Sequence, residues 1–198
     1  MTPASRREDV LRTASELFYR EGIRSVGIDR IIERAGVSKM TLYNHFSSKD
    51  DLAVAYLRRR DEAVHRFIEA RVVELAPDPR HRPLAVFEAF AEQLARDNYR
   101  GCHLINTMIE FPDEDHPARQ LALDLNHGWR AYVAELIRAA HLPEAEALAE
   151  EFFLLLEGAF VTGAMEGMPD SMNRARRAAE ALLTEAQATD AGSAKRHA

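Results

Sequence analysis

Apolar residues in this chain recur almost everywhere at three- and four-residue spacing, and no stretch shows the strict alternation of a half-buried strand. That pattern confines the chain to helices packed on helices. Over residues 8–22, Val10, Leu11, Ala14, Leu17 and Phe18 share one stripe, and Gly22 offers the left-handed backbone that helix ends favour. A short helix follows over 28–35, with Ile28, Ile31, Ile32 and Ala35 on one face and Gly36 behind it. Ser38 is a good N-cap for a third helix reaching about residue 45, in which Leu42 and Phe46 face inward. Ser48 caps a long helix over 49–75 with Leu52, Tyr56, Val64, Phe67, Ile68 and Val72 along it. The string PDPRHRP at 77–83 breaks that helix, and Pro83 suits the first turn of the next. Further helices are expected over 83–99, 103–111, 117–140, 143–166 and 169–187. The expected fold is all-α with about nine helices. A three-helix head spans 1–48, a larger helical domain spans 49–187, and 188–198 form a polar tail expected to be disordered.

Charge divides the chain unevenly. The total is −6, but residues 1–60 carry 12 Lys and Arg against 8 Asp and Glu, while 61–198 carry 14 against 24. A net +4 over the first 60 residues against a net −10 over the remainder suggests that one part faces an anion and the rest does another job. A single cysteine, Cys102, excludes an internal disulfide and a multi-cysteine zinc site, in keeping with a reducing cytoplasm. No apolar run approaches the roughly 20 residues that cross a bilayer, and MTPASRREDVLRTA lacks an apolar core for a signal peptide. A cytoplasmic protein without a membrane partner is expected. Enzymatic chemistry finds no support: there is no HxxxH pair and no Gly-rich phosphate loop, and Cys102 and His103 diverge by about 100° on a helix. No catalytic residue, metal ligand or cofactor is expected.

The head becomes specific at Ala35-Gly36-Val37-Ser38-Lys39-Met40-Thr41-Leu42-Tyr43-Asn44-His45-Phe46, followed by Ser48-Lys49-Asp50-Asp51-Leu52. A short helix, a Gly-containing turn and a second short helix make a helix-turn-helix, whose second helix enters the major groove of DNA. With Val37, Leu42 and Phe46 turned inward, Lys39, Met40, Thr41, Tyr43, Asn44 and His45 face outward. Lys reaches a phosphate or guanine, Asn a base edge or phosphate, Thr a base edge or thymine methyl, and Tyr and His donate to phosphates. Arg6, Arg7 and Arg30 are weaker phosphate candidates.

The A-G-V-S-x-x-T-L-Y-x-H-F string with its S-K-D-x-L continuation resembles the TetR family of bacterial transcriptional regulators, over roughly residues 7–55. The resemblance implies a homodimer of all-α subunits, each with a DNA-binding head and a larger lobe for ligand binding and dimerisation. It also places Lys39, Thr41, Tyr43, Asn44 and His45 on DNA, with Lys49 on a phosphate at the start of the fourth helix. Gly27 stands where the family often has Thr, and Met40 where a small residue is common. The implied partners are a double-stranded, palindromic operator and a small-molecule effector that releases it, with repression the family's commoner sign. A further alternative is a helical ligand-binding protein or enzyme without DNA function, and the intact motif argues against it.

For the lobe, Phe90, Ile105, Met108, Phe111, Trp129 and Phe160 are candidates to line an effector cavity, with His103, Asn106 and His127 as polar handles. Cys102 sits near a helix start beside Arg100, an environment that favours the thiolate, so control by oxidants or electrophiles at Cys102 is an alternative. The helix over 143–166 is apolar on more than one face and must bury two surfaces. Phe152, Leu156, Ala159 and Gly163, with Ala175, Ala179 and Leu182 on the last helix, are assigned to a dimer interface on the family's pattern of pairing the last two helices.

Overall fold

Local chemistry sets most of the helix ends. The computed structural model describes residues 3–98, 100–166 and 170–194, and among them are nine α-helices, one 3-10 turn at Pro79–His81 and no strand. The helices are α1 (Pro3–Glu21), α2 (Ile28–Ala35), α3 (Lys39–Tyr43), α4 (Lys49–Leu75), α5 (Arg82–Arg96), α6 (His103–Glu110), α7 (Pro117–Ala139), α8 (Ala145–Glu166) and α9 (Ser171–Ala194). Ser38 and Ser48 cap α3 and α4, their hydroxyls accepting from the Thr41 and Asp51 N–H groups at 3.1 and 3.0 Å. Gly36 ends α2 with φ 65°, and its N–H and that of Val37 turn back to the Glu33 and Ile32 carbonyls.

Several ends differ from the sequence reading. α5 stops at Arg96 because Asn98 adopts φ 53°, and the expected end at Tyr99 lies outside the described residues. α8 starts at Ala145 rather than Pro143 because Glu144 has φ 49°, outside the helical region. Pro169, the expected start of the last helix, lies outside the described residues, as do 195–198. α9 runs on to Ala194, past residue 187, where the apolar pattern ends. Adding residues to a helix that is already formed avoids the cost of nucleation, so the extension needs no apolar stripe.

Contacts divide the chain into two units. The first runs from α1 through Ala63 and takes in 102–126, so α6 and the first part of α7 cluster with the three-helix head. Its core joins Val10, Ala14, Leu17 and Phe18 of α1 to Ile31, Leu42, Phe46, Leu52, Tyr56 and Leu57, with Ala118 and Leu121 of α7. The second holds 64–101 and the chain from 127 on, where α9 packs on both α5 and α8. There Phe87 and Phe152 meet edge to face at 5.5 Å.

Burial in the second unit bears on the residues expected at a dimer interface. Phe152, Leu156, Ala159 and Gly163 of α8 and Ala175 and Ala179 of α9 are buried inside the single chain, and Leu182 is half-buried. The outward face of α8 instead carries Leu154, Gly158, Val161 and Met165, with Leu154 65% and Met165 80% exposed. Both faces of α8 are apolar, so periodicity alone could not tell the inner from the outer.

Two glycines give stability effects of opposite sign. Gly27 is the N-cap of α2 with φ −77° and no side-chain cap, and a Cβ there would meet nothing within 4 Å. Gly27→Ser should raise stability by about 0.5–1 kcal/mol through the added cap and lower unfolded-state entropy. Gly36→Ala has open space but a left-handed backbone, and should cost about 1–2 kcal/mol. Urea denaturation of the two variants checks both signs.

Candidate nucleic-acid interface

Helix α3 is shorter than its motif. The helix proper ends at Tyr43, and Asn44, His45 and Phe46 form a turn in which the Asn44 N–H donates to Met40 O and the His45 and Phe46 N–H groups to Leu42 O. Leu42 and Phe46 are 0% and 1% exposed, so the opposite side faces out. Lys39, Met40, Tyr43 and Asn44 are exposed there, Met40 at 73% and Tyr43 at 44%, while Thr41 and His45 are half-buried. The structure therefore brings six sequence candidates onto one short segment. The Thr41 hydroxyl lies 2.8 Å from that of Ser38, so the cap fixes Thr41 as well as the helix start.

The flanking cations have partners. Lys39 lies 3.6 Å from Asp29, both highly exposed, a pair too weak to keep the ammonium from a phosphate. Lys49 donates to the Arg24 carbonyl at 3.1 Å. Partial burial pulls its ammonium pKa below the ordinary value, with Asp50 and Glu110 opposing and Arg24 adding to the drop. Arg7 lies over the Phe46 ring at 4.9 Å, Arg30 pairs with Glu21, and Arg6 is exposed. The outward face offers an ammonium, an amide, a phenol and a thioether. Such a set suits phosphate oxygens and base edges better than a catalytic step.

The effector candidates fall in two places. Six lie in the first unit along or beside α6: Cys102, His103, Ile105, Asn106, Met108 and Phe111. Cys102 is the half-buried N-cap of α6 and makes no side-chain cap bond. His103 is buried 3.7 Å from the buried Asp61 of α4. Ile105, Asn106 and Met108 are half-buried, while Phe111 packs on the head core and stacks on His116 at 3.9 Å. In the second unit Phe90 meets Trp129 and Phe160, each with centroids 5.2 Å apart. His127 is exposed on α7.

Several neighbours escaped the sequence reading. His65 packs on Trp129 at 4.5 Å and on Tyr132 at 5.3 Å, extending the aromatic group. Burial pushes the Tyr132 phenol up to about 12, so it stays neutral in the physiological range. Asp61 and Glu110 also went unnoticed, because a carboxylate that folds inward looks the same in sequence as a solvated one. The only hint at Glu110 was its place at the end of a helix, where an anion is disfavoured.

Comparison with known proteins identifies the family. The model of bacterial regulatory proteins of the tetR family matches residues 10–56, and that of the tetracyclin repressor-like C-terminal domain matches 79–179. Among solved structures, SCO4454, a TetR-family transcriptional regulator from Streptomyces coelicolor, is 30% identical, with 92% of this chain and 96% of that one covered and a TM-score of 0.83. The transcriptional regulator AcuR of Cereibacter sphaeroides is 27% identical over 175 residues, covering 84% of this chain and 80% of its own. The transcriptional activator FasR of Mycolicibacterium smegmatis is 42% identical over 101 residues, covering 50% of this chain and 45% of its own. The chain belongs to the TetR family and is a DNA-binding transcriptional regulator.

Proposed function

We propose that this regulator is a cytoplasmic homodimeric repressor that binds a palindromic operator through α3 and is released by a small molecule. The observation that carries the reading is the exposed Lys39, Met40, Tyr43 and Asn44 face backed by fully buried Leu42 and Phe46. A dimer presents two such helices roughly 34–36 Å apart, one turn of duplex. Phosphate contacts from Lys49, Tyr43 and His45 supply affinity, and Thr41, Asn44, Met40 and Lys39 supply sequence preference. The outward stripe of Leu154, Gly158, Val161 and Met165, at i, i+4, i+7 and i+11 of α8, is the surface we assign to the second copy. An effector taken up beside α6, near His103, Asn106 and Met108, acts by preferring the non-binding conformation by about 1–3 kcal/mol. The protein's role is regulation rather than catalysis.

Duplex selection from random sequence with the purified protein should return a palindrome bound by two chains. Tyr43→Ala and Lys49→Ala should weaken all duplexes and reduce the dependence of binding on salt, by about one unit of log–log slope for Lys49. Thr41→Ala should change the preferred base at one position of each half-site. Recovery of no preferred duplex would overturn the reading.

For the dimer surface, Val161→Glu combined with Leu154→Glu should give a folded monomer in analytical ultracentrifugation and lose palindrome binding. A dimer retained by this variant would place the interface elsewhere.

A second reading is favoured by the half-buried Cys102 at the N-cap of α6, where the helix dipole stabilises a thiolate. In it, electrophile or oxidant modification of Cys102 releases the operator. Cys102→Ser should then abolish release by a quinone or peroxide while leaving operator affinity unchanged; release that persists in the variant removes this reading.

A further inference from the structure

Glu110 is the last residue of α6, and its carboxylate is received by the loop between α1 and α2. The Arg24 N–H donates to Glu110 Oε2 at 2.8 Å, and the Arg24 guanidinium donates to the Glu110 carbonyl at 3.1 Å. Gly22, at φ +94°, permits the approach: a Cβ there would lie 2.9 Å from Glu110 Oε1. A backbone N–H beside a glycine in the left-handed region receives the carboxylate, while the guanidinium holds the backbone carbonyl of the same residue. A carboxylate at a helix C-terminus faces the negative end of the dipole, so Glu110 sits there against local preference and relies on these donors.

The same loop also holds Lys49, whose Nζ donates to the Arg24 carbonyl at 3.1 Å and whose charge is favoured by the nearby Glu110 carboxylate. Thus one residue, Arg24, is bonded through its N–H to α6 and through its C=O to the ammonium at the start of α4. The end of α6 is itself fixed, since Arg119 Nη1 donates to the Met108 and Phe111 carbonyls at 3.0 and 3.3 Å. The next turn adds His116, stacked on Phe111 and 3.5 Å from Asp50, the neighbour of Lys49.

We propose that Glu110 is a positioning residue for DNA binding, its carboxylate fixing the 22–25 loop and, through the Arg24 carbonyl, the Lys49 ammonium, so that α6 acts on the phosphate-contacting set directly. This rests on the DNA-binding reading of Lys49. The sign of the effect separates positioning from simple charge. Removing a negative charge close to DNA strengthens binding if only long-range electrostatics matter, whereas losing a positioning contact weakens it.

The test uses the full chain and the duplex it selects. Glu110→Ala, which removes the acceptor together with the charge, should weaken binding to that duplex and to a random duplex alike, by about five- to tenfold. Glu110→Asp, which keeps the charge but falls short by one methylene, should lose as much as Glu110→Ala. In combination with Lys49→Met, Glu110→Ala should add no further loss, because the two act as one unit. The Arg24 amide should exchange with solvent faster in both Glu110 variants, as read by NMR. Wild-type or tighter affinity in Glu110→Ala, rescue by Glu110→Asp, or losses that add independently of Lys49→Met would overturn the proposal. If the wild type selects no duplex, the DNA reading fails on its own, and unchanged Arg24 exchange in the variants would separately refute the contact.

Discussion

Helix α3 is five residues long, and a helix of that length does not form alone: nucleation costs a factor of about a thousand, or about 4 kcal/mol, and so few residues give almost no propagation to offset it. Burial of Leu42 and Phe46 in the head core contributes about 3–6 kcal/mol, and the Ser38 cap about 1 more. The segment therefore exists as a helix only while α1, α2 and the start of α4 provide the surface it rests on. The exposed face follows from the same requirement. Two inward anchors four residues apart leave positions 39, 40, 43 and 44 turned outward, whatever residues stand there.

That dependence reaches beyond the motif. α6 and the first part of α7 share the core of the head, with Ala118 and Leu121 fully or nearly buried in it and Phe111 packed against it. The helix on or beside which six of the ten effector candidates lie is thereby part of the same packed body as α3. The overall charge of −6 is consistent with this arrangement, because its basic share lies in the first 60 residues and the excess of acid belongs to the remainder. An acidic protein can read DNA when the field at the contact surface, rather than the total, has the right sign.

Much of this was legible in the sequence because it is recorded in residue types with one conformational meaning. Gly36, Ser38 and Ser48 mark helix ends by backbone chemistry, and the inward set Leu42 and Phe46 follows from period. Other features were hidden for physical reasons. α8 is apolar on both sides, so the pattern could not separate Phe152, Leu156, Ala159 and Gly163, which pack inside the chain, from Leu154, Val161 and Met165, which do not. Helix ends set by a left-handed Asn98 or Glu144 carry no signal beyond residues that commonly continue a helix or turn. The contact of Glu110 with Arg24 spans 86 residues, and no local rule reaches that far. The tail reads as polar and patternless, yet α9 continues into it as far as Ala194, since extending a formed helix avoids the nucleation cost.

The proposed DNA contact lies on the outward face of α3 and the first turn of α4, carried by an otherwise acidic chain. Hydrogen–deuterium exchange of the wild-type protein, with and without the duplex it selects, would show where DNA lies. New protection is expected in residues 38–50 and the loop at 22–28, with none arising by direct contact along α5 or α9. Protection centred on α5 or α9, with exchange at 38–50 unchanged by saturating duplex, would overturn the assignment.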